Sequence, residues 1–215
     1  CVVQQEEKHI EVNQSRSIMG DGIICGIAGV DAEGNAITPY INYLDSRTQE
    51  DEIEMNGWDL DIWGKETGNP EPKCMYPALF ARWFLKHQEQ WTGTIAKFIH
   101  NAPYILAHLA GLKAADMFID WGAMSGWGLG YKVEEKVWST EQLEILGISE
   151  TLMPRIVKPW DIIGHLTAEM AEATGLPAGI PICGGAGDTM QSMIGSGNIK
   201  AGQAVDVAGT CSMFC

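Results

Sequence analysis

A short apolar segment, residues 180–183, runs directly into Gly184-Gly185-Ala186-Gly187-Asp188 and then into a helical stretch reaching about Ile194. Three glycines between a strand and a helix allow backbone angles and close approaches that a side chain forbids. The acid arrives at the mouth of the helix, where free backbone N–H groups favour a carboxylate. Asp188 placed there can accept the proton of a hydroxyl brought beside it. It can equally serve as a plain helix cap. The glycines form no nucleotide-binding P-loop, because G-x-x-x-x-G-K-[ST] occurs nowhere in the chain.

Strand and helix signals alternate along the rest of the chain, which predicts an α/β fold. Residues 23–30 and 37–44 read as strands of a hairpin around Asp31-Ala32-Glu33-Gly34-Asn35. A charged helix is expected over 47–56, ending at Gly57. Leu79, Phe80, Trp83 and Phe84 recur at helical spacing behind Pro77 and predict a core-facing stripe. Residues 95–99 read as a strand. Asn101 and Pro103 open a helix carrying Ile105, Leu106 and Leu109, with Gly111 as its stop. Ser139-Thr140-Glu141-Gln142 matches a capping box, and Gly147 closes that helix. A further helix bears Leu166, Met170 and Ala171 and ends at Gly175, and residues 204–208 read as the last strand.

The 215 residues carry 14 Lys and Arg against 28 Asp and Glu, a net charge of -14. This balance argues against a nucleic-acid partner, since neutralising phosphates needs a basic surface. An anionic membrane surface is disfavoured for the same reason, and no run approaches the roughly 18 apolar residues of a membrane span. Cysteines at 1, 25, 74, 183, 211 and 215 show no C-x-x-C spacing, and the five histidines do not cluster with them. No metal-ligand set is assigned, and reduced thiols in a cytoplasmic protein are expected. The chain opens on Cys1 and closes within a strand–turn pattern, so a fragment of a longer protein is expected.

Three other stretches could carry chemistry. Gly209-Thr210-Cys211-Ser212 follows a strand, and successive N–H groups in such a turn can bind phosphate. An ordinary turn is the alternative. Asp45 and Arg47 stand at a strand end, a common place for ligand-facing groups in α/β folds; the alternative is a helix cap beside an exposed Arg. Asp120-Trp121-Gly122-Ala123-Met124-Ser125-Gly126 sets an aromatic beside an acid, which could face a sugar ring or form a tight core turn. A thiol-based chemistry on Cys25 or Cys183 lacks an identifiable base partner.

In this order, the stretches resemble the FGGY family of carbohydrate kinases from about Gly22 to Cys215. The resemblance is carried by Ile27-Ala28-Gly29-Val30-Asp31 with Leu44-Asp45-Ser46-Arg47, by the helix around Trp83, and by Trp138-Ser139 with Leu146-Gly147-Ile148. It continues in Leu152-Met153-Pro154, in Gly164-His165-Leu166-Thr167, and in Thr174-Gly175-Leu176-Pro177-Ala178-Gly179-Ile180-Pro181-Ile182 leading to Gly187-Asp188. Gly22-Ile23-Ile24-Cys25-Gly26 stands where many pentulose kinases have Gly-Gln-Met-His-Gly. The resemblance implies a ribonuclease H-like, actin-like ATPase fold with two lobes and a cleft. Residues 1–195 would be the sugar-binding lobe without its first strands, and residues 196–215 the start of the ATP-binding lobe. It further implies ATP-dependent phosphorylation of a hydroxyl on a pentulose or related ketose or polyol, with Mg²⁺. Asp188 would be the catalytic base and a substrate contact, joined on the sugar side by Asp45, Arg47 and Asp120. Gly209 and Thr210 would contact ATP phosphates. The net acidity fits a neutral sugar, and a homodimer stays open. The fragment alone would be inactive, because the first phosphate loop and the adenosine site fall outside it. The alternative is a non-catalytic sugar-binding or regulatory relative.

Overall fold

The computed structural model describes residues 14–91, 93–208 and 212–214. Its centre is a three-stranded antiparallel sheet. Strand β2 (Gly26–Val30) lies between β3 (Ile41–Asn42) and β4 (Lys97–Ile99). Just before β2, β1 (Asp21–Gly22) pairs in parallel with the distant β11 (Ala186–Gly187). The remaining sheets are small: β5 (Phe118–Asp120) pairs in parallel with β8 (Arg155–Val157), and β9 (Ile162–His165) pairs antiparallel with β10 (Pro181–Cys183). The hairpin β6 (Tyr131–Lys132) with β7 (Val137–Trp138) and the hairpin β12 (Asp206–Ala208) with β13 (Ser212–Phe214) complete them.

Helices α1 (Gln49–Asn56), α2 (Ile62–Thr67), α3 (Pro77–His87) and α4 (Asn101–Leu109) precede β5. After it come α5 (Trp121–Ser125), α6 (Thr140–Leu146), α7 (Ala168–Thr174) and α8 (Asp188–Gly195). Pro77 occupies the first turn of α3, where its missing N–H is not needed. Leu79, Phe80 and Phe84 are fully buried on one face of that helix.

Two hydrophobic cores form because side chains alternate across the strands. Ile27, Phe98 and Ile119 enter a core with α3, α6 and Trp127, while Val30, Ile99 and Phe118 enter a second core with α4 and Leu166. Both faces of the strands are therefore covered. That is why β2 reads as an unbroken apolar run instead of an alternating one.

The expected hairpin is present, with Asp31 Oδ1 accepting the Asn35 N–H at 2.9 Å in its turn. Its arms are shorter than expected. Residues 23–25 leave the sheet, and only Ile41 and Asn42 pair regularly on the return strand. Pro39 has no N–H to offer the ladder, and Leu44 is 71% exposed. The capping box is half formed. Ser139 Oγ accepts the Gln142 N–H at 3.4 Å. The Gln142 amide does not return to Ser139; its Oε1 accepts the Gly130 N–H at 2.7 Å, and the Ser139 N–H donates to the Gly130 carbonyl. Strands β5, β8 and β9 and helix α2 had no expectation in the sequence. Of the apolar residues carried by α4, Leu106 is buried and Ile105 is 57% exposed. Toward the C-terminal end Ile194, Ile199 and Phe214 expose large apolar surface. No described helix is long and apolar enough to cross a membrane.

His100, the residue before α4, is buried with both ring nitrogens lacking a hydrogen-bond partner. Its ring lies 5.5 Å from that of Trp127. Burial pushes its pKa down to about 3, and the nearby Ile23 backbone, outside hydrogen-bond geometry, only weakly opposes this. The folded chain thus refuses a proton that the unfolded chain accepts below about pH 6.5. Stability contributed by this site is present above that pH and is lost as pH falls toward 3. Urea unfolding of wild type should lose on the order of 2 kcal/mol between pH 6.5 and 5 relative to His100→Phe. Parallel pH dependence of the two proteins would refute this.

Candidate active site

The site is assembled where β1 and β11 lie side by side, with Gly22 opposite Gly187. The loop after β1 carries Ile24 and Cys25 toward the ends of α5 and β11. A Cβ on Gly187 would lie 2.1 Å from Ile24 Cγ2, and a Cβ on Gly126 would lie 2.6 Å from Ile24 Cβ. Both contacts exclude any other residue at those two positions without displacing the loop.

Asp188 is the first residue of α8, and Gly187 takes the capping position. The half-buried carboxylate accepts the Thr189 N–H on Oδ1 at 2.7 Å, and Thr189 Oγ1 approaches the same oxygen at 3.4 Å. Among the described residues Oδ2 has no protein donor. The simple cap expected as an alternative is therefore not formed, since the residue sits within the first turn and bonds only its neighbour.

Around Asp188 the structure gathers polar groups that no sequence pattern marks. Cys25 Sγ approaches the Gly126 carbonyl at 3.6 Å. Burial, and next the charge of Asp188, push its thiol up to about 11. Tyr40 keeps an exposed ring edge, but its hydroxyl stands over Gly26. Desolvation of that hydroxyl, then the fields of Cys25 and Asp188, raise it to about 12. Tyr131 also rises to about 12 through burial, against the lowering effect of the Asn69 amide. Its hydroxyl donates to the Ser125 carbonyl at 2.8 Å and accepts from Asn69 at 3.2 Å. Tyr76 is raised by burial first and by Cys25 second. The Cys25 thiol and the Tyr40 hydroxyl thus stay neutral beside that carboxylate, and a thiolate chemistry at Cys25 has no support.

Asp45 and Arg47 occupy the turn after β3, close to Cys25 through the bond from the Tyr43 N–H to the Cys25 carbonyl at 2.9 Å. Their charged atoms are turned to each other. Arg47 Nε and Nη2 reach the two Asp45 oxygens at 2.9 and 2.7 Å, and the guanidinium lies 4.8 Å over the Trp83 ring. The Arg47 hydrogen bonds are what hold the Asp45 carboxyl below its usual range. Asp45 is no helix cap, since Thr48 holds that position before α1. No described contact joins this pair to Asp188.

Asp120 ends β5 and caps α5, accepting the Gly122 and Ala123 N–H groups at 2.7 and 3.1 Å. Burial raises its pKa to about 6, against those two backbone bonds. A Cβ on Gly122 would sit 3.3 Å from the Gly187 nitrogen, so the cap of α5 abuts the strand end that feeds Asp188. Gly209 and Thr210 lie outside the described residues. Among the described residues, no group of three or more His, Cys, Asp or Glu converges on a metal position.

The Asp120 proton has a testable sign. Its folded pKa exceeds the unfolded value near 3.9, so the folded state binds more protons between the two. Stability from this residue is greatest below about pH 4 and falls as pH rises through 6. Asp120→Asn keeps the capping oxygen and removes the titration. Wild type should lose on the order of 2–3 kcal/mol relative to it between pH 4 and 7 in urea unfolding, and a constant difference across that range would contradict the assignment.

Among known proteins, the chain is 28% identical over 203 residues to the xylulose kinase of Klebsiella pneumoniae, covering 93% of this chain and 40% of that protein. It is 26% identical over 211 residues to the gluconokinase of Bacillus subtilis, covering 96% and 38%. The crystal structure of xylulose kinase from Rhodospirillum rubrum superposes with a TM-score of 0.84 at 22% identity, covering 95% of this chain and 41% of that one. The chain therefore spans about two fifths of the length of its relatives, and its fold is that of the first domain of actin-like sugar kinases. Residues 1–195 match the N-terminal domain of the FGGY family of carbohydrate kinases, and the chain belongs to that family.

Proposed function

We propose that the protein carrying this chain transfers the γ-phosphoryl group of ATP to a hydroxyl of a pentulose or a related ketose or polyol, with Asp188 as the base. The observation that carries this reading is the Asp188 carboxylate itself. It is half-buried at a strand–helix junction, one oxygen is fixed by Thr189, and the other has no protein donor among the described residues. The free oxygen suits a hydroxyl proton. As the hydroxyl oxygen attacks the terminal phosphorus, its proton passes to Asp188 and ADP departs. The Cys25 thiol and the Tyr40 hydroxyl, both held neutral, line this place without adding charge beside the carboxylate.

In this reading residues 1–195 form the sugar-binding lobe and residues 196–215 begin the ATP-binding lobe. Gly209 and Thr210 contact the phosphates, and the protein works in the cytoplasm. ATP, when bound with Mg²⁺, supplies the phosphoryl group and neutralises its charge. Asp188, with one carboxylate oxygen lacking a protein donor among the described residues, could also face that ion. Asp120 acts by fixing α5 against Gly187. Asp45 and Arg47 reach an acceptor by exchanging their mutual ion pair for it.

In the full-length protein, Asp188→Asn should lower kcat by about two to four orders of magnitude while leaving circular dichroism and the melting temperature near those of wild type. Near-normal phosphorylation of a ketose or polyol panel by this variant would remove Asp188 from the mechanism.

A further inference from the structure

Asn69 stands just past the end of α2, and its side chain reaches a distant part of the chain. Its Nδ2 donates to the Gly128 carbonyl at 2.8 Å and to the Tyr131 hydroxyl at 3.2 Å. The Tyr131 hydroxyl gives its own proton to the Ser125 carbonyl at 2.8 Å, so toward Asn69 it can only accept. Position 69 must therefore offer two hydrogens from one neutral atom. An amide nitrogen does this, and a carboxylate, a hydroxyl or an alkyl group does not. The backbone behind the amide is anchored as well. The Asn69 N–H donates to Thr67 Oγ1 at 3.0 Å, and that hydroxyl donates to the Trp63 carbonyl at 2.7 Å inside α2.

The two carbonyls held in this way bracket Gly126, one just before it and the other two residues after it. Gly128 has a φ of 89°, and a Cβ there would lie 2.2 Å from Tyr76 Cγ, so the Tyr76 ring packs directly on the turn. Ile24 rests on Gly126, where an added Cβ would lie 2.6 Å from Ile24 Cβ, and the Gly126 carbonyl lies 3.6 Å from Cys25 Sγ. Ile24 also fills the space beside Gly187, the residue before Asp188. A continuous series of contacts thus runs from Asn69 through the turn and Ile24 to the start of α8.

We infer that Asn69 is a positioning residue of the site: by donating twice to the 125–128 turn it sets where Ile24 and Cys25 stand, and through them where Asp188 meets an acceptor. This deepens the kinase reading and rests on it. No described contact joins Asn69 to Asp188 or Cys25, so its removal should appear in turnover more than in acceptor binding. Asn69→Asp keeps the shape, removes both donors and sets a carboxylate oxygen against the Gly128 carbonyl. That opposition disfavours the charge, and protonation restores one donor. The phenols on this turn, Tyr131 and Tyr76, are raised by burial and stay neutral at any pH below their ordinary range. Lys132, next to Tyr131, is paired with Glu66 of α2 at 3.1 Å.

The test uses the full-length protein with ATP and the ketose or polyol that wild type phosphorylates best. At about pH 7.5, Asn69→Asp and Asn69→Ala should each lower kcat about tenfold or more, with the KM for the acceptor within about threefold of wild type. Relative to wild type at the same pH, Asn69→Asp should recover most of its loss at about pH 5.5, and Asn69→Ala should recover none. Tyr131→Phe keeps the ring and frees only the Ser125 carbonyl, so it should give a smaller loss of kcat in a protein that melts near wild type. Alkylation of Cys25 by iodoacetamide, followed by peptide mass spectrometry, needs no turnover and should be several-fold faster in both Asn69 variants. The inference is overturned if the Asn69 variants keep wild-type kcat, if their loss lies in KM alone, if Asn69→Asp recovers no better than Asn69→Ala, or if Cys25 labelling is unchanged. If wild type phosphorylates no ketose or polyol while the variants still expose Cys25, the kinase reading fails and the clamp on the turn stands.

Discussion

Ile24 is wedged between two stretches of backbone that carry no side chain. Its β-branched side chain fills the space where Gly126 and Gly187 would each place a Cβ. Three segments far apart in sequence, the loop after β1, the end of α5 and the start of α8, are thereby held at contact distance. Interiors packed at crystal density have two discrete arrangements or one, not a continuum. The position of Cys25 relative to Asp188 thus follows from packing, before any polar contact is made.

Electrostatics around that wedge runs in two opposite directions from one cause. Burial disfavours charge, so it lowers the basicity of His100 and raises the proton affinity of Asp120. Both residues support the loop or strand ends that frame the site, yet neither carries a settled charge there. Asp188, half-buried, is the carboxylate around which the thiol and phenols stay protonated. In the kinase reading proposed above, an acceptor entering this place would meet one carboxylate beside a neutral thiol and phenol. That arrangement suits removal of a hydroxyl proton better than binding of a second anion directly beside Asp188.

Local signals are legible in this sequence, and convergence of distant segments is not. Helices α6 and α7 stop at Gly147 and Gly175 because those residues take left-handed angles, and that requirement is written in residue type. Strands β5 and β8 have three residues each, too short for any period to show. The second half of the capping box failed because Gln142 found a better partner in the Gly130 backbone. Asp188 was visible through its glycine turn. Tyr40, Tyr76, Tyr131 and Asn69 come from different elements, and nothing local announces that they share one place. Asp45 and Arg47 were legible as a strand-end pair, but that two-residue spacing would let each satisfy the other was not.

The site therefore divides into positions where geometry allows little choice and positions where it allows much. Gly126, Gly187 and the Ile24 wedge are fixed by close approach, and changing them moves Asp188 itself. Trp160 and Lys158 hang from that frame through backbone bonds of their own loop, while Cys25 also touches it through its thiol on the Gly126 carbonyl. Cys25 is held by its carbonyl to Tyr43, and Trp160 sits in a loop whose neighbouring carbonyls bond the glycine turn. Such a division lets one fold keep its phosphoryl chemistry while the acceptor changes. It also fits the finding that 22% identity coexists with a superposable frame. In the kinase reading proposed above, the side chains free to differ without moving the frame are the ones that would carry information about the acceptor.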